Sequence, residues 1–254
     1  MTRTSPRAET LLSAGGVGVD FCDGNKWHYV TDPDAYLRAH PDMYEMRTCS
    51  ATNGQMYVDP QFALQRRVLQ ARVRGYLHYQ FPYQNAGTPE RQAEFFCNAL
   101  GELRPNEMVM LDTEDASGLR DPADFVRRWC AVVEPRLRTL AWIYVPSGLA
   151  RKLTRAVTGQ RVVKAPRYSG HAGRGTPPSW PYDVWQYTDR GPFPGSPHGP
   201  GDGNTTAWTV DQLLVRCRGT SSGGVRPVLR LGSRDSGSDG PVHRLQRTLN
   251  EVLA

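Results

Sequence analysis

The side chains best suited to chemistry lie in Val109-Met110-Leu111-Asp112-Thr113-Glu114-Asp115, an apolar run that ends abruptly in acids. Residues two apart on a strand point the same way, so Asp112 and Glu114 share one face, with alpha carbons roughly 6.5–7 Å apart. Carboxyls that close to each other and to a water-poor surface do not ionise independently. Charge on one raises the pKa of the other and leaves a protonated acid beside an anion near neutral pH. Cleavage of a glycosidic bond uses that division of labour. An isolated D-x-E more often solvates a loop or caps a helix, so the assignment depends on the elements that position the pair.

Apolar, β-branched runs alternate with helical patterns. Strands are predicted at Val17–Phe21, Met43–Cys49, Gly75–Gln80, Met108–Asp112, Leu140–Val145, Arg161–Ala165 and Asp183–Tyr187. Helices are predicted after Asp59-Pro60, Thr88-Pro89 and Asp121-Pro122, where a capping side chain precedes a proline at the first helical position. Val145-Pro146-Ser147 leads into a fourth, from Gly148 to Val157. After Pro166 the helical patterns stop, and 166–181 and 189–206 read as Gly/Pro-rich loops. Such alternation predicts a mostly parallel sheet, open or closed into a barrel. Reactive residues of a barrel sit at the carboxyl ends of its strands; Asp20, His78, Asp112, Glu114, Tyr144 and Gln186 all fall near such ends.

The chain has 254 residues, 39% hydrophobic and 22% charged, which suits one large soluble domain, or one domain plus a fragment. No apolar run approaches the roughly 20 residues needed to span a bilayer. Met1 to Ala14 holds Arg3, Arg7 and Glu9 but no hydrophobic signal segment, so synthesis in the cytosol and no membrane insertion are expected. Five widely spaced cysteines (Cys22, Cys49, Cys97, Cys130 and Cys217) exclude a complete disulfide framework and disfavour a zinc site. A net charge of +6 predicts affinity for polyanions without choosing among nucleic acid, anionic lipid and bacterial wall polymers.

Five segments in order resemble the family-25 glycoside hydrolases, the N-acetylmuramidase lysozymes. Gly18-Val19-Asp20-Phe21 is similar to the family's first strand, which ends in an active-site aspartate. Tyr57-Val58-Asp59-Pro60-Gln61-Phe62 resembles its Y-x-D-P-x-F segment, and Gly75-Tyr76-Leu77-His78-Tyr79 its G-x-Y-H-F strand. Leu111-Asp112-Thr113-Glu114 resembles the central D-x-E. Val184-Trp185-Gln186-Tyr187-Thr188, with Gly191, Gly195 and Asp202-Gly203-Asn204, resembles the closing signature. The likeness runs from about Gly16 to about Leu214. Cys22 stands where the family often has serine, and Thr52-Asn53-Gly54-Gln55 replaces a usual glutamate–glycine.

The resemblance implies a TIM-like α/β barrel of eight strands with helices covering mainly the first five. It implies cleavage of the β-1,4 bond between N-acetylmuramic acid and N-acetylglucosamine in bacterial peptidoglycan. Glu114 would be the general acid, Asp112 would orient the sugar's acetamido group for attack on the anomeric carbon, and Asp20 and Asp202 would tune the same centre. Retention by this substrate-assisted route is expected; direct carboxylate attack or inversion through water stay open. Tyr79, Tyr144, Trp185, Gln186 and Tyr187 are candidate cleft residues, since aromatic planes suit the apolar faces of sugar rings; ordinary barrel packing is the competing explanation. His78 joins them as a hydrogen-bonded residue of the cleft floor. It has no partner at metal-ligand spacing, and no metal or cofactor is expected. Gly15-Gly16-Val17-Gly18 precedes a strand and lacks a lysine, which argues against a phosphate loop.

The expected organisation is an extension over 1–15, a barrel over 16–218, a linker over 219–226 and a C-terminal segment over 227–254. In that segment Val228-Leu229-Arg230-Leu231-Gly232-Ser233 and Val242 to Asn250 resemble the start of a peptidoglycan-binding helical module. Peptidoglycan is the expected partner, nucleic acid is not, and a monomer is expected. A phage lysin acting on the host wall is the expected setting. The alternative is a non-catalytic wall-binding protein on the same barrel.

Overall fold

The computed structural model describes residues 18–114, 118–169 and 176–218. The N-terminal extension, the linker and the C-terminal segment expected from sequence lie outside these residues. The described elements run β1 (Val19–Gly24), α1 (Pro33–Ala39), β2 (Met43–Thr52), β3 (Gln55–Val58), α2 (Phe62–Leu69) and β4 (Gly75–Gln80). Then come α3 (Pro89–Leu100), β5 (Glu107–Asp112), α4 (Pro122–Leu137), β6 (Trp142–Tyr144), α5 (Arg155–Thr158), β7 (Val163–Pro166), β8 (Val184–Gly191), β9 (Gly201–Thr206) and α6 (Val210–Cys217).

The sheet order is β1-β9-β8-β7-β6-β5-β4-β2-β3, and a further β1–β2 pairing closes it, so eight strands form a barrel while β3 hangs on β2 as a hairpin. All barrel pairings are parallel except the two made by β9, which runs antiparallel to both β8 and β1. Helices cover the β2–β6 side: Val126, Trp129 and Val133 of α4 and Ala93, Phe96 and Leu100 of α3 pack with Val109, Leu111 and Ile143 on the outer faces of the strands. This is the α/β barrel expected from sequence.

Thr88 and Asp121 cap α3 and α4 as expected, their side chains accepting from Arg91 N and Asp124 N. The same Asp-Pro signal at Asp32-Pro33 starts α1, a helix not among those expected from sequence. Asp59 does not cap α2. It is spent on Arg47, 2.7 Å away, and on the backbone amides of Lys26 and Gln61. The fourth helix, expected from Gly148 to Val157, is interrupted. A 3-10 turn at Ser147–Leu149 and the four-residue α5 replace it, because Thr154 is extended between them.

Helices also do not end at Pro166. α6 follows β9, opened by a reciprocal capping box between Thr209 and Gln212. Val210 and Leu213 of α6 join the inner core, and Trp142 Nε1 donates to Cys217 Sγ, so α6 packs against the end of the barrel where strands β4 and β6 begin. Among the described residues no helix is long and apolar enough to cross a membrane.

Candidate active site

Alternation along each strand sorts the side chains into an inner and an outer set. Val19 and Phe21 of β1, Met43 of β2, Leu77 and Tyr79 of β4, Met108 and Met110 of β5, Trp142 and Tyr144 of β6 and Val184 of β8 pack together inside the barrel. Continuing each series by two residues towards the carboxyl end reaches Asp23, Glu45, Asp112 and Gln186. The apolar layers therefore give way to a polar layer at the end where the parallel strands finish.

Lys164 of β7 is the centre of that layer. Its ammonium, in a residue 1% exposed, lies 2.9 Å from Asp23 Oδ2 and 2.8 Å from Glu45 Oε2. Asn204 Nδ2 and Gln186 Nε2 donate to the same Asp23 oxygen at 3.0 and 3.2 Å. Burial opposes charge on Asp23, but Lys164 and these hydrogen bonds outweigh it and hold its pKa below the ordinary carboxylate value. Burial likewise opposes charge on Lys164, and Asp23 and Glu45 outweigh it, so the lysine stays protonated. Glu45 is pushed up to about 8 by burial, against the pull of Lys164. Asp202, opposite Asp23 in the β1–β9 pairing, is pushed up to about 9 by burial and then by the Asp23 charge. Near neutral pH Asp202 is thus a proton donor beside an anion.

Asp112 and Glu114 leave the end of β5 towards this layer. Thr113, between them, is fully buried and donates Oγ1–H to the carbonyl of Tyr144 at 2.5 Å, which anchors the intervening residue to β6. Asp112 is 7% exposed, and its Oδ1 has no hydrogen-bond partner among the described residues. Burial, and then the charge of Glu114, raise its pKa well above the usual carboxylate range. Of the two, Asp112 is the more deeply buried, whereas the sequence reading expected the anion there and the proton on Glu114.

Glu114 lines a cleft of about 610 Å³ with Tyr144, Pro146, Ser147, Pro166, Arg167, Tyr168 and Trp180. Tyr144 donates to Gln186 Oε1 at 2.7 Å, and Gln186 in turn donates to Asp23, so the cleft wall is wired to the charged layer.

The expected site residues divide by strand parity. Asp112, Glu114, Asp202, Tyr79, Tyr144 and Gln186 converge on the polar layer and cleft. Asp20 does not: it is exposed on the outer face of β1, where its carbonyl meets His40 Nδ1 at 3.0 Å. The strand continues to Gly24, and Asp23 takes the inner position. Trp185 and Tyr187 flank the inward Gln186 and so face outward. Trp185 Nε1 donates to Arg167 O, and the Tyr187 ring lies over Gly203, where a Cβ would fall 2.8 Å from it. Both pack the outside of the bare strands instead of walling the cleft.

His78 also points outward. It is fully buried between the sheet and α2, edge-on to Phe62 and 3.2 Å from Glu107 Oε1, with its pKa lowered by burial. The sequence reading missed Asp23, Glu45, Lys164, Asn204, Tyr168 and Trp180. A charged residue inside an apolar strand, as in Met43-Tyr44-Glu45-Met46 and Val162-Val163-Lys164-Ala165, was the available signal for two of them.

A closed α/β barrel with coupled carboxyls at a strand's carboxyl end and an aromatic cleft beside them has the layout of a glycoside hydrolase. The chain belongs to the glycosyl hydrolases family 25, whose family model matches residues 45–196, more than half of its length. Asp112 and Glu114 lie within that match; Asp23 and Asp202 lie outside it.

Among solved structures, the chain is similar to a bacterial lysozyme from Streptomyces coelicolor (TM-score 0.64, 20% identity, covering 80% of this chain and 99% of that one). It is also similar to a family 25 glycosyl hydrolase from Bacillus anthracis (TM-score 0.63, 14% identity, 78% and 92% covered). A third likeness is the catalytic domain of endolysin ply40 from bacteriophage P40 of Listeria monocytogenes (TM-score 0.62, 18% identity, 78% and 96% covered). These likenesses concern the fold. No curated protein sequence matches the chain.

Proposed function

We propose that the protein is a peptidoglycan hydrolase that cleaves the β-1,4 bond between N-acetylmuramic acid and N-acetylglucosamine. Glu114 acts as general acid and Asp112 as partner of the substrate's acetamido group. The observation that carries this reading is the coupled pair at the end of β5, one carboxyl facing an aromatic cleft and the other buried with an acceptor oxygen unused by the described residues.

In the free protein, burial favours the proton on Asp112. An acetamido N–H that donates to Asp112 Oδ1 favours its anionic form, and the proton the pair shares moves to Glu114. Substrate binding thereby arms the acid. The acetamido oxygen attacks the anomeric carbon as the glycosidic bond breaks, and Glu114 protonates the departing oxygen. Asp112 stabilises the positive charge that develops on the ring formed by the acetamido group. Water then opens that ring, with Glu114 taking its proton, and the outcome is retention. Asp23, neutralised by Lys164, and protonated Asp202 border the centre without adding full negative charges to it. A phage lysin is the proposed setting; the barrel shared with ply40 supports it, and a coding sequence lying outside any phage lysis cassette would count against it.

The test is turbidity clearing of purified cell walls, together with the appearance of new reducing ends. Glu114→Gln is expected to bind walls while turnover falls about 10²–10⁴-fold, the usual share of a general acid. Asp112→Asn is expected to lower kcat strongly with a smaller change in binding, because the amide oxygen can still accept the acetamido N–H but carries no charge to stabilise the ring that forms. Wild-type clearing by the Gln variant would remove the acid assignment. Binding without clearing by the wild type would favour the non-catalytic alternative.

A further inference from the structure

Two aromatic side chains stand well out of the described surface, Trp27 at 66% and Tyr168 at 53% exposure. Both follow carboxyl ends of parallel strands: β1 ends at Gly24 and β7 at Pro166. Going round the barrel from β5, one direction passes β6 to reach β7 and the other passes β4 and β2 to reach β1. Glu114, just past β5, therefore shares the carboxyl-end face of the barrel with both aromatics. Tyr168 already belongs to the cleft; Trp27 has no role in the site described so far.

Trp27 is not alone. The Lys26 ammonium lies 4.8 Å from the centroid of the Trp27 ring and 4.9 Å from that of Tyr57 on β3. It makes no ion pair among the described residues. The segment is held stiffly: Asn25 Oδ1 accepts from Trp27 N at 2.8 Å, and Asn25 and His28 exchange backbone hydrogen bonds. Lys26 N donates to Asp59 Oδ2 at 2.9 Å, the oxygen that also receives Arg47. Arg47 pairs in register with Tyr79, whose ring is part of the barrel's inner lining. A rigid, exposed aromatic loses little freedom on binding, and a cation resting on two rings keeps its charge available for an anion.

We propose that Trp27, Tyr57 and Lys26 form a second carbohydrate subsite, on the same barrel face as Glu114 and Tyr168. It would grip the glycan strand by stacking on Trp27 and by pairing Lys26 with an acidic substituent. The proposal deepens the peptidoglycan reading and rests on it, since the lactyl carboxylate of muramic acid supplies such a substituent. It gives the face a second aromatic platform beyond the cleft that Glu114 lines, and predicts a preference for long strands.

Calorimetric titration of the full chain carrying Glu114→Gln tests this without turnover, using peptide-free glycan strands with free lactyl carboxylates. Trp27→Ala is expected to weaken long strands roughly three- to tenfold while leaving a disaccharide unaffected, and Trp27→Phe to recover part of the loss. Lys26→Gln is expected to weaken long muramyl strands but not a neutral chitin oligomer of equal length, with the difference shrinking as salt rises. Identical isotherms for Trp27→Ala and its parent, or equal losses at both lengths, would overturn the subsite alone. Failure of the parent to bind any of these glycans would overturn the peptidoglycan reading with it.

Discussion

The two ends of the barrel interior are built from the same strands and solve opposite problems. Towards the amino ends, Val19, Phe21, Met43, Leu77, Met108, Trp142 and Val184 fill the space with apolar side chains, and α6 packs against that end. Towards the carboxyl ends, Asp23, Glu45, Asp112, Lys164, Gln186 and Asn204 are as deeply buried, at 7% exposure or less. The apolar end is held by area removed from water and by close packing. The polar end persists only because its charges are matched. Lys164 offsets the charge of Asp23 and donates to Glu45, two amides complete Asp23, and burial favours the proton on Glu45, Asp202 and Asp112. The burial of these groups and the charges beside them are what shift their pKa values.

Breaking the match at the polar end should have the largest effect on stability. Lys164→Met strands Asp23 beside Glu45, and loss of one partner from a buried ion pair costs about 3–5 kcal/mol. Urea unfolding should report a loss of that size. Adding Glu45→Met should recover part of it, and no recovery would mean that Asp23 carries the whole penalty. At the apolar end, Met110→Ala should cost about 2–5 kcal/mol by leaving a cavity. It should change kcat far less than Lys164→Met, and equal losses of kcat would erase the contrast.

A third measurement concerns pH. The folded protein holds the Glu45 proton more tightly than the unfolded chain does, raising the pKa from 4.5 to about 8. Its contribution to stability is complete below pH 4.5, declines above it and is gone once pH passes about 8. Glu45→Gln cannot titrate, so its melting temperature relative to wild type should rise steadily over that interval. A pH-independent difference would show that Lys164 keeps Glu45 ionised throughout. The smallest effect is expected on the outer face: Tyr187→Phe should leave KM within about twofold, as for most changes remote from a site. Gln186→Ala, one residue away but facing inward, should lower turnover measurably.

The placement of β9 shows why part of this site resisted a linear reading. Gly201-Asp202-Gly203-Asn204-Thr205-Thr206 has no apolar side chain and sits in a Gly/Pro-rich stretch, so it reads as loop. In the fold it is a central strand whose inner positions face the polar layer, while Gly203 leaves room for Tyr187. By contrast β4, apolar at alternate positions, was read to the residue. Asp112 and Glu114 were legible because a strand and its end could be recognised locally. The likeness of Gly18-Val19-Asp20-Phe21 to the family's first strand points to Asp20, but the strand runs three residues past Phe21, to Gly24, and it is Asp23 that lies inside.

The sequence by itself determined the succession of strands and helices, the acids at the end of β5 and the likeness to one hydrolase family, since each depends on neighbouring residues. Tertiary structure decided which acid of the first strand faces inward, which aromatics meet the cleft, and that Lys164 and Glu45, 119 residues apart, hydrogen-bond to one another. The reason is geometric: side chains alternate with a period of two, so a shift of one residue exchanges inside for outside. Only closure of the barrel fixes which parity faces inward.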